Sequence, residues 1–363
     1  MSETEIERLR EAIASVDKEI VALVAKRLDL AEQIGLEKRL AGLPVRRTDV
    51  EELVQVRLER ESAIRGISGD FAAKLSEGLI AESVRRQEAV QVPKPLHRRV
   101  LVIGGAGQMG SWLSRFLRSR GYEVVVHDIA GPLEGFPSEK DLARGVREAD
   151  VIAVSVPMTV SAQVLERVAE LCPKALIFDI CSLKAPIEAV LRSAGKSGLN
   201  ITSVHPMFGP ALWPLASGSI TFSDCGNVVA VVEAKDLFRP SGAKLIDISL
   251  DHHDEFMAYL LGTSHLTLLT FARAVANSPF DLAGLKRPAG TTFSRLSMAA
   301  QGLLEDPPAL LRDIHALNPL TPAVDARLRQ ALDDWRRATE APDDREFMAL
   351  IEHARAYFRG GSS

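Results

Sequence analysis

The spacing of apolar residues divides the chain into three stretches. Over about residues 3–40, Ile6, Leu9, Ile13, Val16, Ile20 and Leu23 recur at alternating steps of three and four, with no proline and no glycine before Gly35. This predicts one long helix with a heptad-like seam. A second helix is expected over about 49–64 and a third over about 69–91, where Phe71, Leu75 and Leu79 fall four apart. After "QVPKPLHRR" the pattern changes, and short apolar runs alternate with helical periods. Strands are expected at 100–103, 123–127, 151–156, 176–179, 201–204 and 228–232, an alternation that predicts a doubly wound, mostly parallel sheet. Beyond about residue 251 helical periods take over, through "FMAYLLGTSHLTLLTFARAV" and "RLSMAAQGLLEDP" to a terminal helix at 345–358. The expected organisation is multidomain: an all-α domain (1–91), a linker (92–98), an α/β Rossmann-type dinucleotide-binding domain (99–250) and an all-α C-terminal dimerisation domain (251–363).

Composition adds exclusions. A chain of 363 residues suits two or three cores. Its net charge of -4 supplies no basic excess to displace counterions, so nucleic acid is not an expected partner. The N-terminus is charged from its third residue and no 18 apolar residues run together. A cytoplasmic protein without membrane association is therefore expected. Cys172, Cys181 and Cys225 are widely separated and lack metal-ligand spacing, which reads as buried thiols in a reducing compartment.

Candidate chemistry begins at "VIGGAGQMG". Gly105, Gly107 and Gly110 form GxGxxG between a strand and a helix. The first glycine is expected to make the tight turn, the second to admit a pyrophosphate and the third to let helix and strand approach. Gln108 and Met109 lie in the same loop, and Val156 and Pro157 close "VIAVSVP"; all four are assigned to cofactor contact. Asp128 ends the next strand, where a carboxylate accepts hydrogen bonds from a ribose hydroxyl and repels a 2′-phosphate, so the expected cofactor is NAD.

The first helix carries cations in its apolar line. Continuing the seam past Leu23 reaches Arg27, Leu30, Ile34 and Lys38. Arg27 and Lys38, eleven residues apart, point within about 20° of each other roughly 16 Å apart along the axis, a gap two long side chains close around a small dianion. Arg10, seventeen residues before Arg27, lies roughly 25 Å away and about 100° round the helix, so it is expected to serve a partner's site. Ser83 and Gln87 extend the line of Phe71, Leu75 and Leu79, placing polar groups on the buried side of the third helix, where a ligand is one way to satisfy them.

Through "LREAI", "LVAKRLDLAEQIGLEK", "LPVRRTDVEE" and "ESVRRQ" the first ninety residues resemble the all-helical chorismate mutase family. The resemblance implies that Arg27 and, from a second subunit, Arg10 hold the carboxylates of chorismate. It gives Lys38 and Gln87 the ether oxygen, Glu51 the ring hydroxyl region and Ser83 a carboxylate. Two positions depart from the family: Val50 stands where an arginine is frequent and Arg47 where an acid is frequent.

"VIAVSVP", "DICSLKAPI", "SVHPMFGP" and "DHHDEFMAYLLGTSH" are similar to the prephenate dehydrogenase family, from about residue 99 to near the C-terminus. This implies hydride transfer from C4 of prephenate to NAD, with His205 accepting the hydroxyl proton, Ser182 orienting hydroxyl and histidine, and His265 near the substrate side chain. The family's carboxylate-binding arginine falls on Gln301; Arg295, six residues earlier and about 120° away round a helix, is the candidate replacement. Adjacent side chains on one helix diverge, so His252, His253 and Asp254 are not expected to bind metal, and Asp254 is expected to cap or bridge. Together the resemblances imply a homodimeric enzyme of tyrosine biosynthesis that makes prephenate and then consumes it. Two other readings stand beside it: the same reactions on the 4-amino analogues, and a catalytically silent ligand-binding protein.

Overall fold

The structure, a computed structural model, describes residues 3–40, 48–90, 96–211, 218–241 and 243–360. Three helices come first: α1 (Glu3–Leu40), α2 (Thr48–Ile64) and α3 (Gly69–Ala89). Ser68 caps α3 by accepting from the Phe71 amide. The buried line of α3 is Ala72, Ser76, Ser83 and Gln87, and Phe71 is exposed. Ser83 and Gln87 are buried on the expected line, whereas in the first half of the helix the buried positions are Ala72 and Ser76, one residue on from Phe71 and Leu75. The seam Ile6, Leu9, Ile13, Val16, Ile20 and Leu23 is exposed on the single chain. Of the expected linker, 92–95 lie outside the described residues, as does Arg47; the Leu96 amide donates to the Gly121 carbonyl at 3.0 Å.

The second unit alternates β1 (Arg99–Ile103), α4 (Gln108–Ser119), β2 (Glu123–His127), α5 (Leu142–Glu148), β3 (Val151–Val154), α6 (Met158–Glu170), β4 (Leu176–Asp179), α7 (Glu188–Lys196) and β5 (Ile201–Pro206). It ends with β6 (Ser219–Asp224), α8 (Val228–Phe238) and β7 (Lys244–Asp247). The sheet order is β2-β1-β3-β4-β5-β6-β7, parallel except where β6 runs antiparallel to β5. In β1, Val100 and Val102 face a core shared with α4 and α8, while Leu101 and Ile103 face one shared with α6 and α7. Burial on both faces makes the strand an unbroken apolar run.

The strand expected at 228–232 is instead the start of α8. Asn227 caps it, its side chain accepting from the Val229 and Ala230 amides at 3.1 and 3.4 Å, and this cap overrides the β preference of a valine run. The remaining strands are β6, polar at alternate positions, and the four-residue β7. Cys172 is exposed, contrary to expectation, because it sits in a left-handed turn (φ 44°) after α6.

The last unit comprises α9 (Leu250–Met257), a π-helical turn (Ala258–Thr263), α10 (Ser264–Ala276), α11 (Leu282–Lys286), α12 (Thr291–Leu304), α13 (Pro308–Ala316), α14 (Thr321–Glu340) and α15 (Arg345–Phe358). No residue of α10 is buried on the single chain. No described helix is long and apolar enough to cross a membrane.

Candidate active sites

Strand order reverses between β1 and β3, which opens a crevice at their carboxyl ends. The chain leaves β1 through Gly104 at φ 80°, so the tight turn falls there and not at Gly105 as expected. A Cβ on Gly104 would also lie 2.4 Å from the Ser155 carbonyl oxygen just past β3. Gly105 instead packs against Val126 of β2, and a Cβ on Gly110 would lie 2.1 Å from the Gly104 carbonyl oxygen. Gly107 begins α4 with no side-chain cap. The first amides of the helix are thereby left to an anionic ligand. Gln108 is exposed and Met109 packs on the core below. Asp128 Oδ2 accepts the Ala106 amide at 2.9 Å and Oδ1 the Ala130 amide at 2.8 Å, which ties the loop to β2. Each oxygen keeps a further lone pair for a ribose hydroxyl. Val156 and Pro157 lead into α6 on the far side of the crevice.

Two strands along, about 10 Å from β3, β5 carries buried His205. Its Nδ1 lies 3.1 Å from His253 Nε2, and His253 Nδ1 lies 2.7 Å from Asp254 Oδ1, both on α9. Asp254 also accepts the backbone amides of Lys184, at 2.9 and 3.1 Å, and Ala185, at 2.7 Å. Lys184 is 1% exposed. Its Nζ donates to Asp179 Oδ1 at 2.9 Å, to the Cys181 carbonyl at 2.7 Å and to the Val204 carbonyl at 3.0 Å. This one ammonium therefore stitches together the residues preceding Ser182 and His205. Ser182 itself is half-buried in the loop three residues beyond β4.

Burial, then the Lys184 charge and His253, push His205 well below the usual histidine range. Burial also lowers His253, against the opposing pull of Asp254. For Asp254, burial raises the pKa, but the hydrogen bonds from His253 and the two amides outweigh it and hold the carboxyl below its usual value. Burial pushes the Cys181 thiol up to about 12, which removes it as a nucleophile. Sequence reasoning found His205 and Ser182 but gave no role to Lys184 or His253. The signals were present: a lysine inside DICSLK, and a histidine considered only as a metal ligand.

His265 lies on α10, its ring 6.4 Å from that of His315, with Nδ1 buried and unpaired. Burial, then His315, lowers its pKa. Gln301 and Arg295 are exposed on α12, and the cation beside Gln301 is Lys286, whose Nζ donates to Gln301 Oε1 at 3.2 Å.

In the N-terminal helices the structure brings four of the expected residues together as two pairs. Arg27 Nη1 donates to Ser83 Oγ and, at 2.7 Å, to the Leu79 carbonyl. Lys38 Nζ donates to Gln87 Oε1 at 3.0 Å. Burial and the charge of Arg57 on α2 lower the Arg27 pKa, which makes Arg57 a cation facing this site that sequence reasoning missed. Glu51 is half-buried on α2. Arg10 is not brought to Arg27 within one chain; it is exposed and pairs with Glu7 at 3.2 Å.

Residues 9–88 match the family model of chorismate mutase type II, and residues 135–225 that of the nucleotide-binding domain of prephenate dehydrogenase. The T-protein of Enterobacter agglomerans is 27% identical over 358 residues, covering 98% of this chain and 93% of its own. The 4-amino-4-deoxyprephenate dehydrogenase of Streptomyces pristinaespiralis is 29% identical over 273 residues, 71% of this chain and 90% of its own. Among solved structures, prephenate dehydrogenase from A. aeolicus, in complex with hydroxyphenyl propionate and NAD+, matches the fold with a TM-score of 0.58 at 14% identity, over 73% of this chain and 98% of that one. The two models stand in tandem and a relative aligns along nearly the whole chain, which supports a bifunctional chorismate mutase/prephenate dehydrogenase.

Proposed function

We propose that the chain rearranges chorismate to prephenate among α1–α3 and then converts prephenate to 4-hydroxyphenylpyruvate, with the residues above in named roles. The observation that carries the second step is buried His205, held neutral at the carboxyl edge of the sheet near the dinucleotide crevice. In this reading residues 1–91 serve the mutase, 99–250 the nucleotide and 251–363 substrate and dimerisation.

For the rearrangement, Arg27 and Ser83 hold one carboxylate and Arg10 of a second copy the other, while Glu51 meets the ring hydroxyl. Lys38 and Gln87, joined through the Gln87 carbonyl, hold the ether oxygen. The reaction is pericyclic and needs no acid, base or nucleophile. Its rate comes from holding the reactive conformer and stabilising charge on the breaking C–O bond. Because Arg10 cannot reach Arg27 in its own chain, the protein works as a homodimer, in which the exposed α1 seam is covered.

For the oxidation, the glycine cradle, the open amino end of α4 and the Asp128 carboxylate fit a dinucleotide with a free ribose 2′-hydroxyl. NAD supplies the nicotinamide that accepts the C4 hydride. His205 takes the proton of the C4 hydroxyl, with Ser182 orienting both. The ring carboxylate leaves as CO2, its bonding electrons completing the aromatic ring. His265 lies near the substrate side chain, and Gln301 grips a carboxylate with help from a neighbouring cation, Lys286 or Arg295.

The amino-substrate reading has one relative in its favour, but that alignment spans only 71% of the chain, whereas the T-protein alignment spans 98%. The silent reading is opposed by the assembled pairs of both sites. NADH formation from prephenate and from 4-amino-4-deoxyprephenate separates all three. Higher kcat/KM on prephenate is expected; clearly higher kcat/KM on the amine, or turnover of neither, overturns the proposal.

A further inference from the structure

Asp254 receives two backbone amides and one imidazole nitrogen. An ionised carboxylate only accepts hydrogen bonds, so His253 must donate from Nδ1. A neutral imidazole carries one N–H, so His253 Nε2 is an acceptor, and the 3.1 Å contact is completed by a proton on His205 Nδ1. We infer that His253 and Asp254 are positioning residues for the oxidation: their hydrogen-bond chain fixes the His205 proton on Nδ1 and leaves Nε2 as the nitrogen that takes the substrate proton. The inference rests on His205 as the proton acceptor and names which of its atoms acts and what sets it.

The surroundings favour this state. Were His253 protonated, it would donate from both nitrogens, His205 Nδ1 would become an acceptor and the proton would move to Nε2, blocking the base. Burial and the Lys184 ammonium oppose that protonation. The charged and titratable groups facing the histidine pair are Lys184 after β4, Asp179 on β4 and Asp254 on α9, and Asp179 is committed to Lys184, Ser203 and the Cys181 amide. When His205 accepts a proton at Nε2, its Nδ1–H already points at His253, and the positive charge is shared toward Asp254. The same carboxylate grips the Lys184 and Ala185 amides, two and three residues beyond Ser182, so α9 and the serine loop are held in register with β5.

Full-length protein labelled with ¹⁵N-histidine reports the tautomers directly by two-bond ¹⁵N–¹H correlation at pH 7.5, with no ligand needed. Protonated Nδ1 and unprotonated Nε2 are expected for both His205 and His253; a proton on His205 Nε2 overturns the inference. In Asp254→Asn, NADH formation from prephenate should fall about 10³-fold in kcat, within the roughly 10²- to 10⁴-fold worth of the general base it positions, with KM within about threefold and mutase activity of the same chain retained as the control for folding. His253→Gln keeps an acceptor oxygen for His205 Nδ1–H and should stay within about tenfold, whereas His253→Leu should lose about 100-fold or more. Unchanged kcat in His253→Leu, or equal losses in Leu and Gln variants with normal mutase activity, means the contact is only structural and overturns the inference. If the variants do not fold, the tautomers of the native chain decide. Native protein with the expected tautomers but no NADH from prephenate keeps the tautomer assignment and defeats the proposed reaction instead.

Discussion

The mutase pairs, Arg27 with Ser83 and Lys38 with Gln87, join cations that stay half-exposed to residues on a neighbouring helix. By contrast His205, His253, Lys184 and Asp179 are all under 5% exposed and bonded to one another or to strand ends. A pericyclic rearrangement asks only that charges stand in the right places, and long side chains on helix faces supply that, even across a subunit boundary. A step that moves a proton and a hydride asks for one tautomer at one atom. That requires water exclusion and a fixed hydrogen-bond chain, which a sheet edge packed under helices provides.

The widest separation between the two regions should come from removing one chemical group in each. His205→Asn is expected to lower NADH formation from prephenate by 10²- to 10⁴-fold, roughly the worth of a general base, and to leave chorismate consumption unchanged. Lys38→Ala should do the reverse when prephenate is supplied directly. Loss of both activities in each folded variant, measured in parallel assays, would mean the sites are energetically one.

A stability measurement sharpens the contrast in burial. Lys184→Met leaves Asp179 at 0% exposure without its countercharge, which should cost about 3–5 kcal/mol in urea unfolding. Lys184→Met with Asp179→Leu should recover much of it, since a buried ion pair replaced by apolar groups is often neutral. The equivalent change at half-exposed Lys38 should cost less, because it takes one hydrogen bond from a neutral amide and leaves no buried charge without its counterion. Equal losses at Lys184 and Lys38 would contradict the difference drawn between the regions.

How much of this could be read from residues alone follows the same division. The long first helix, five of the seven strands and the GxGxxG loop were legible because periodicity and glycine sterics are local properties. The helix at Val228–Phe238 was misread because four valines among its first five residues look like a strand until the Asn227 side chain is seen capping them. The glycine that makes the turn, Gly104, stands one position before the motif's first. His205 was visible in HPMFGP, but its partner His253 lies 48 residues away, and the Lys184–Asp179 pair acquires meaning only when β4 and β5 lie side by side. Arg57 and Lys286 were missed for a similar reason: each matters through a neighbour on another helix.

The smallest expected effect concerns the exposed end of the dehydrogenase site, where the chain again relies on long side chains. On the proposed assignment Gln301 takes the place of a carboxylate-binding arginine, and its oxygen accepts from Lys286 at 3.2 Å. An amide held this way turns its N–H groups outward, so lysine and glutamine together offer a carboxylate one charge and several donors, in place of a bidentate fork. Both are exposed on the single chain, so screening limits the charge's worth to about 1 kcal/mol. Lys286→Ala should therefore raise KM for prephenate about three- to tenfold with little change in kcat, and 0.5 M salt should shrink the effect. Gln301→Arg should lower KM by restoring the fork, and in that background Lys286→Ala should cost less than in the native chain. If Arg295→Ala raises KM more than Lys286→Ala does, the compensating cation lies on α12 and the Lys286 contact is incidental.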